Sequence, residues 1–170
     1  MKLNLNLVRK SSKSHGEPKG TIVAIPVPGE IADRLCMSGG IPAGEMHISL
    51  AYIKDYHDIQ TLVQIVGLFT AQHPLLPIMK IGGVGRFFHE GEDVLYAAVD
   101  SPTLSGFREN LMKHLDQFSI PYSMEHGFTP HITIAYIDKS LPTPRLSEEV
   151  ALSWVVSSIE VWNNNVRFSL

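Results

Sequence analysis

The sequence is poor in cysteine, in net charge and in long apolar runs, and each shortage excludes a class of protein. One cysteine, Cys36, occurs in 170 residues, which excludes an internal disulfide framework and a cysteine-based zinc site. The net charge is only −3, whereas proteins that grip long nucleic acids usually have a basic face. No apolar run approaches the roughly 18 residues that span a bilayer. We therefore expect a cytoplasmic protein that binds no membrane and no long nucleic acid.

The first 19 residues differ from the rest of the chain. They hold five basic residues and one acid, and the stretch 11–20 is polar and typical of a linker. Leu3, Leu5 and Leu7 alternate with asparagines, which predicts either an edge strand or a frayed terminus. We interpret residues 1–19 as a basic arm and residues 20–170 as one domain with two similar lobes, at about 20–90 and 91–170.

Hydrophobic periodicity predicts alternating strands and helices after residue 20. The predicted helices are 30–38, 58–72 and 104–118, and the predicted strands are 21–27, 46–53, 78–88, 94–99, 131–137, 154–162 and 166–170. Gly82-Gly83-Val84-Gly85 lacks the lysine of a phosphate loop and predicts a bend within a hairpin instead.

An internal repeat organises the chain. Residues 47–53 read His-Ile-Ser-Leu-Ala-Tyr-Ile, and residues 131–137 read His-Ile-Thr-Ile-Ala-Tyr-Ile. A helix and an earlier strand precede each copy, so a duplicated strand–helix–strand unit is the simplest account. We therefore predict an α+β fold in which antiparallel sheets form a central groove and the helices lie outside.

Strict alternation along a strand places His47 and Ser49 on one face of the first copy, and His131 and Thr133 on one face of the second. Alternation also assigns Ala51 and Ala135 to those polar faces, and Tyr52 and Tyr136 to the apolar core. The polar faces would then line the groove.

Two imidazoles in one groove suit phosphate-ester cleavage, because a base must deprotonate the attacking hydroxyl while an acid protonates the departing oxygen. Ser49 and Thr133 would donate hydrogen bonds to the phosphate oxygens. A lone strand histidine is more often structural, but two histidines at matched sites favour function. A zinc site competes with this reading, but two histidines are fewer ligands than zinc requires.

The two motifs resemble the His-x-Ser/Thr pair of the 2H phosphoesterase superfamily. Phe128-Thr-Pro-His-Ile-Thr-Ile and the segment from Ile81 to Phe87 are similar to that family's other landmarks, so the resemblance covers about residues 20–170. Members include 2′-5′ RNA ligase-like proteins, cyclic nucleotide phosphodiesterases and phage enzymes that degrade antiviral signalling nucleotides. A phage origin would place this protein in the host cytoplasm.

The resemblance implies that His47 and His131 are catalytic, that Ser49 and Thr133 bind phosphate, and that no metal or other cofactor is needed. The expected substrates are 2′,3′-cyclic phosphates, 2′-5′ linkages or small cyclic oligonucleotides. The alternative is a module that binds a nucleotide or an RNA end without turnover.

Other residues have weaker assignments. Phe87, His126 and Phe128 are candidate substrate contacts. Arg86 and Arg167 are expected to be solvated, and Trp154 and Trp162 to pack in the core. The remaining histidines are expected at the surface; they are His15, His57, His73, His89 and His114.

Overall fold

A computed structural model describes residues 20–125, 127–145 and 152–170. Within them the chain forms three helices and eight strands, with a short 3₁₀ turn at Ala43–Glu45. The elements are β1 (Thr21–Pro26), α1 (Gly29–Leu35), β2 (His47–Ile53), α2 (Ile59–Gln72), β3 (Ile78–Phe87), β4 (Asp93–Asp100), α3 (Leu104–Gln117), β5 (His131–Ile137), β6 (Ser153–Val155), β7 (Glu160–Asn163) and β8 (Val166–Ser169). None of these helices is long and apolar enough to cross a membrane. The predictions for residues 1–19 lie outside the described residues.

The strands form two four-stranded antiparallel sheets, in the orders β2-β1-β7-β8 and β5-β4-β3-β6. Strands β2 and β5, the two copies of the repeat, are edge strands that contact each other. The two sheets therefore meet along the strands that begin with His47 and His131. The predicted α+β fold with paired antiparallel sheets is confirmed.

Each sheet takes strands from both halves of the chain. Strand β3 pairs with β4 in the second sheet, and β7 pairs with β1 in the first. The predicted strand at 154–162 is wrong, because β6 belongs to the second sheet and β7 to the first. Between them Val156 and Ile159 are buried, so the chain packs against the core as it crosses from one sheet to the other. The expected lobes at about 20–90 and 91–170 thus do not coincide with the two sheets.

Helices α2 and α3 follow the predicted apolar spacing closely. Asp58 caps α2, since its carboxylate accepts a hydrogen bond from the Thr61 backbone N–H at 3.1 Å. The buried face of α2 consists of Leu62, Ile65, Val66 and Phe69, and that of α3 includes Leu104, Phe107, Leu111 and Leu115.

The expectation that His114 lies at the surface is wrong. Its exposed fraction is 7%, and its Nε2 lies 2.9 Å from the Ile65 carbonyl oxygen across the α2–α3 contact. Helical spacing places His114 on the same face as Leu111 and Leu115. The helical spacing therefore indicated a buried position, whereas the polar character of histidine favoured the surface.

Both copies of the repeat contain a β-bulge at the same position. Along β2, Ser49 lies opposite Ala24 and Ala51 opposite Val23, so Leu50 is the extra residue. Ile134 is the extra residue in β5. A bulge adds a residue to one strand and breaks the strict alternation of faces beyond it.

The bulges correct four sequence assignments. Ala51 and Ala135 are buried, with exposed fractions of 4% and 2%, and do not line the groove. Tyr52 and Tyr136 are not core residues, because Tyr52 is exposed and Tyr136 only partly buried. The extra residue turns both tyrosines back to the side that carries the histidines.

The carbonyl oxygen of each bulged residue accepts a hydrogen bond from the chain that precedes the other copy of the repeat. Arg108 of α3 donates through Nε to the Leu50 oxygen at 2.8 Å. The backbone N–H of Ile41 donates to the Ile134 oxygen at 2.7 Å. An unsatisfied carbonyl in a packed strand is costly, so these bonds stabilise the junction between the sheets.

Candidate active site

His47 and His131 begin equivalent strands and make equivalent hydrogen bonds. The Nδ1 of His47 lies 2.8 Å from the Glu45 carbonyl oxygen, and the Nδ1 of His131 lies 2.7 Å from that of Thr129. A carbonyl oxygen only accepts, so Nδ1 carries the hydrogen in both rings. Nε2 is therefore the proton-accepting atom of each neutral imidazole.

The two imidazoles lie within electrostatic reach of each other. Burial is the main cause that lowers the pKa of His47 below its ordinary value. The hydrogen bond to Glu45 opposes that shift, and the charges of Arg167 and His131 add to it. The structure thus brings together the two histidines that the repeat singled out.

Trp162 and Arg167 surround His47. The indole centroid of Trp162 lies 4.5 Å from the imidazole centroid of His47, and its Nε1 donates to a Glu160 carboxylate oxygen at 2.6 Å. Arg167 lies with its guanidinium carbon 3.9 Å from the Trp162 centroid. Its Nη1 also donates to the Gly44 carbonyl oxygen at 2.6 Å.

Arg167 is exposed, as expected, but its guanidinium also contacts Trp162 and the Gly44 carbonyl oxygen. Strand β8 pairs Arg167 with Trp162 in β7, so the end of the chain forms a hairpin. Trp162 is buried as expected, at 8% exposure. It packs with Ile22 and Ala24 in a small cluster separate from the main core.

His131 lies beside two other aromatic rings, Phe87 and Tyr96. Phe87 meets it edge-on at 5.0 Å between centroids, and Tyr96 lies at 5.5 Å. Phe87 and Tyr96 stack on each other at 4.1 Å. Gly85 faces this pair, and a Cβ there would come within 2.7 Å of Tyr96 Cε2, so only glycine fits without displacing the ring.

The glycine-rich segment of β3 is a bend, as expected. The register shifts between Ile81 and Gly83, and Gly83 has a φ of +144°, which L side chains rarely adopt.

Ser49 and Thr133 lie two residues beyond the histidines, before the bulge in each strand. Ser49 is exposed and Thr133 partly buried. Their pairing partners in the sheets are Ala24 and Tyr96. Both hydroxyls therefore lie on the face of the neighbouring histidine.

Of the three candidate substrate contacts, only Phe87 is seen to contact a histidine of the pair within the described residues. Phe128 is partly buried, and the Arg108 guanidinium lies 4.4 Å over its ring. His126 lies outside the described residues. Phe87 is at the site, through its contact with His131.

Arg86 is not a solvated residue, contrary to expectation. Its Nε lies 2.7 Å from an Asp93 carboxylate oxygen, and the two side chains are 9% and 1% exposed. Its other nitrogens donate to the carbonyl oxygens of Leu141 at 2.6 Å and Asp138 at 2.8 Å. Arg86 thus secures the chain that follows β5, and its charge is compensated by Asp93.

No three His, Cys, Asp or Glu side chains form a potential metal site among residues 20–125, 127–145 and 152–170.

Comparisons with known proteins give a family and a fold. A model of the 2′-5′ RNA ligase superfamily matches residues 34–167. TT0787 of Thermus thermophilus has a TM-score of 0.69 at 19% identity, over 89% of this chain and 94% of that one. E. coli LigT complexed with 3′-AMP has a TM-score of 0.66 at 16% identity, over 91% and 99%. In sequence, no curated protein matches the chain significantly.

Kluyveromyces marxianus Usb1 with uridine monophosphate is a more distant likeness. Its TM-score is 0.50 at 12% identity, over 89% of this chain and 98% of that one. Identities in this range demonstrate a shared fold only.

Proposed function

Because this chain belongs to the 2′-5′ RNA ligase superfamily, which confirms the 2H phosphoesterase resemblance, we propose that it is a metal-independent phosphodiesterase acting on nucleotides. His47 and His131 would be its general acid and base. The observation that supports this most is the matched pair of Nδ1 contacts to the carbonyl oxygens of Glu45 and Thr129. A structural histidine has no need of the same tautomer in both halves of a duplicated fold.

The chemistry follows from the geometry of in-line displacement. The attacking and departing oxygens lie on opposite sides of phosphorus, so one group cannot easily serve both. In this mechanism the two Nε2 atoms, one from each sheet, would flank one phosphate, and imidazole exchanges protons near neutral pH. Ser49 and Thr133 would donate to the non-bridging oxygens, where negative charge concentrates.

A nucleotide substrate also accounts for the aromatic wall beside His131. Phe87 and Tyr96 form a stacked, partly exposed pair at the site, and base–aromatic stacking contributes about 1–3 kcal/mol per base. LigT and Usb1 are structures with 3′-AMP and uridine monophosphate, which supports a nucleotide as the ligand here. The proposed substrates are 2′,3′-cyclic phosphates, 2′-5′ linkages and small cyclic oligonucleotides, including signalling nucleotides.

For a 3′-5′ linkage we propose that the adjacent ribose 2′-hydroxyl attacks. One imidazole accepts the hydroxyl proton as the 2′-oxygen bonds to phosphorus, and the other imidazole donates a proton to the departing 5′-oxygen. The products are a 2′,3′-cyclic phosphate and a free 5′-hydroxyl. Intramolecular positioning contributes several kcal/mol (about 7–11 at best), which favours this route over attack by water.

One product assay tests the proposal. The protein is incubated in excess EDTA with cyclic mononucleotides, 2′-5′ oligoadenylates, a 3′-5′ dinucleotide and cyclic di- and trinucleotides, and products are identified by mass. We expect cleavage of at least one substrate with EDTA present. Loss of all activity with EDTA, restored by zinc or manganese, would favour a metal-dependent hydrolase. Tight binding without any cleavage would favour the binding module.

A 2′-deoxy or 2′-O-methyl analogue of a cleaved 3′-5′ substrate tests the nucleophile separately. It should bind but resist cleavage. Normal cleavage of the analogue would show direct attack by water while leaving the two-histidine mechanism intact.

A further inference from the structure

Arg167 is the feature of the site that the two-histidine mechanism does not use. Its guanidinium carbon lies 3.9 Å from the ring centroid of Trp162, and Trp162 in turn contacts His47. A hydrogen bond from Arg167 Nη1 to the Gly44 carbonyl oxygen also holds the guanidinium. Both contacts limit the motion of the side chain, so its charge has a defined place beside the site.

Arg167 still has donors for a ligand. A guanidinium has five N–H donors, and the contact with Gly44 engages one nitrogen. The residue is exposed, so an anion can reach it. Planar guanidinium groups bind phosphate through paired hydrogen bonds, and a cation held on an aromatic ring needs little further ordering.

The two ends of the site differ in charge. The charged or titratable groups around His47 are Arg167, His131 and Glu45, and the Glu160 carboxylate accepts a hydrogen bond from Trp162. The rings that contact His131 are those of Phe87 and Tyr96, and neither of these side chains is a cation. A fixed cation therefore accompanies one histidine of the pair.

We propose that Arg167 is a positioning residue that binds the substrate phosphate at the His47 end of the site and thereby makes His47 the base and His131 the acid of the cleavage step. This rests on the proposed function. A nearby cation disfavours a second positive charge on His47, and burial lowers the pKa of His47 in the same direction. His47 is then the imidazole that is neutral and ready to accept a proton.

Protons balance in the step that this assigns. Nε2 of neutral His47 takes the proton of the 2′-hydroxyl as the new oxygen–phosphorus bond forms. Protonated His131 gives its Nε2 proton to the 5′-oxygen as the old bond breaks. The pair ends with the opposite protonation, which is the state needed for water to open the cyclic phosphate in a second step.

A substrate with sulfur in place of the bridging 5′-oxygen tests the assignment. A thiolate departs without protonation, so the acid becomes dispensable and the base does not. With the oxygen dinucleotide, both His47→Ala and His131→Ala should lose roughly 100-fold in activity. With the sulfur dinucleotide, His131→Ala should recover to within roughly 10-fold of the parent, whereas His47→Ala should stay impaired. Recovery of His47→Ala instead, or of neither variant, would overturn the assignment.

Arg167→Met, Arg167→Lys and the control Arg34→Met test the positioning residue itself. Arg34 is exposed in the last turn of α1, so Arg34→Met removes the same charge away from the site. Arg167→Met should lower kcat/KM roughly 10-fold through KM, as expected for one charge-assisted hydrogen bond. It should also move the acidic limb of the kcat/KM profile to higher pH, since loss of the cation raises the pKa of the base. Arg167→Lys should restore the acidic limb in part.

An NMR titration of both imidazoles in the ligand-free protein separates this inference from the proposed function, because it needs no turnover. Arg167→Met should raise the pKa of His47 more than that of His131, and Arg34→Met should change neither. If Arg167→Met leaves the His47 titration unchanged or shifts only His131, Arg167 has no such role. If the titrations behave as expected but no substrate is cleaved, the proposed function fails and the coupling of Arg167 to His47 stands.

Discussion

The two copies of the repeat share their local backbone geometry and differ in the side chains that other strands place around their histidines. Each begins with a histidine bonded through Nδ1 to a carbonyl two residues earlier, and each bulges at its fourth residue. Beyond that, His47 receives Trp162 from β7, while His131 receives Phe87 from β3. Duplication thus preserved the tautomer of each imidazole, and divergence of the neighbouring strands changed the charge around it.

The same contrast appears where the bulges are stabilised. An arginine side chain satisfies the Leu50 carbonyl, whereas a backbone N–H satisfies that of Ile134. In both copies the carbonyl oxygen freed by the bulge accepts a hydrogen bond, but the donor is a side chain in one copy and a backbone N–H in the other. The role of each residue therefore has to be assigned separately in the two halves of the fold.

The largest expected effect on activity comes from removing either histidine of the pair. His47→Ala and His131→Ala should each lower turnover by roughly 100-fold or more, because each removes a general acid or base. The double variant should be little worse, since the pair acts as a unit. Steady-state kinetics measures this, with His57→Ala as an exposed-histidine control and circular dichroism to check the fold. Full activity in either single variant would rule out the two-histidine mechanism.

Ser49→Ala and Thr133→Val compare the two hydroxyls. Each should lower kcat by roughly 10-fold or more, because a donor to the developing phosphate charge is lost. Equal losses would mean that the two halves hold the phosphate alike. A much larger loss from one variant would show that the phosphate lies closer to that half, and no loss from either would refute the phosphate-binding role.

Phe87→Ala against Phe88→Ala compares a ring at the site with its exposed neighbour. Phe88 is 80% exposed, so its removal should change little. Phe87→Ala should raise KM for a nucleotide by roughly 5-fold or more, as expected when a base loses about 1 kcal/mol of stacking. The ratio of KM values between the two variants is the measurement. Equal KM values would place the base elsewhere, for example at Trp162 on the opposite half.

The smallest expected effect concerns the pH dependence of stability. The pKa of His47 is lowered in the folded state, with burial as the main cause, so the unfolded chain binds a proton more readily. His47 should therefore cost stability as the pH falls through the ordinary value of 6.5 and should be without effect well above it. Urea unfolding at about pH 7.5 and pH 5.5 should show a smaller decline for His47→Gln than for the parent.

His57→Gln, an exposed counterpart, should decline like the parent. An identical decline in all three proteins would show that burial of His47 has no thermodynamic weight.

The sequence by itself determined the repeat, the histidine pair, the hydroxyls beside them and the apolar faces of α2 and α3. These features depend on residue identity and on periods of 2.0 and 3.6, and both are local properties of the chain. Even buried His114 followed the helical period, since it shares a face with Leu111 and Leu115.

Only the tertiary structure decided which strands share a sheet and what surrounds each histidine. The pairing of β7 with β1 and of β3 with β6 depends on contacts between residues far apart in sequence, which periodicity does not encode. The bulges at Leu50 and Ile134 were equally hidden, because a run of apolar residues reads the same with or without an extra residue. That is why Tyr52 and Tyr136 were assigned to the core at first, and why the difference between the two halves of the site became visible only in three dimensions.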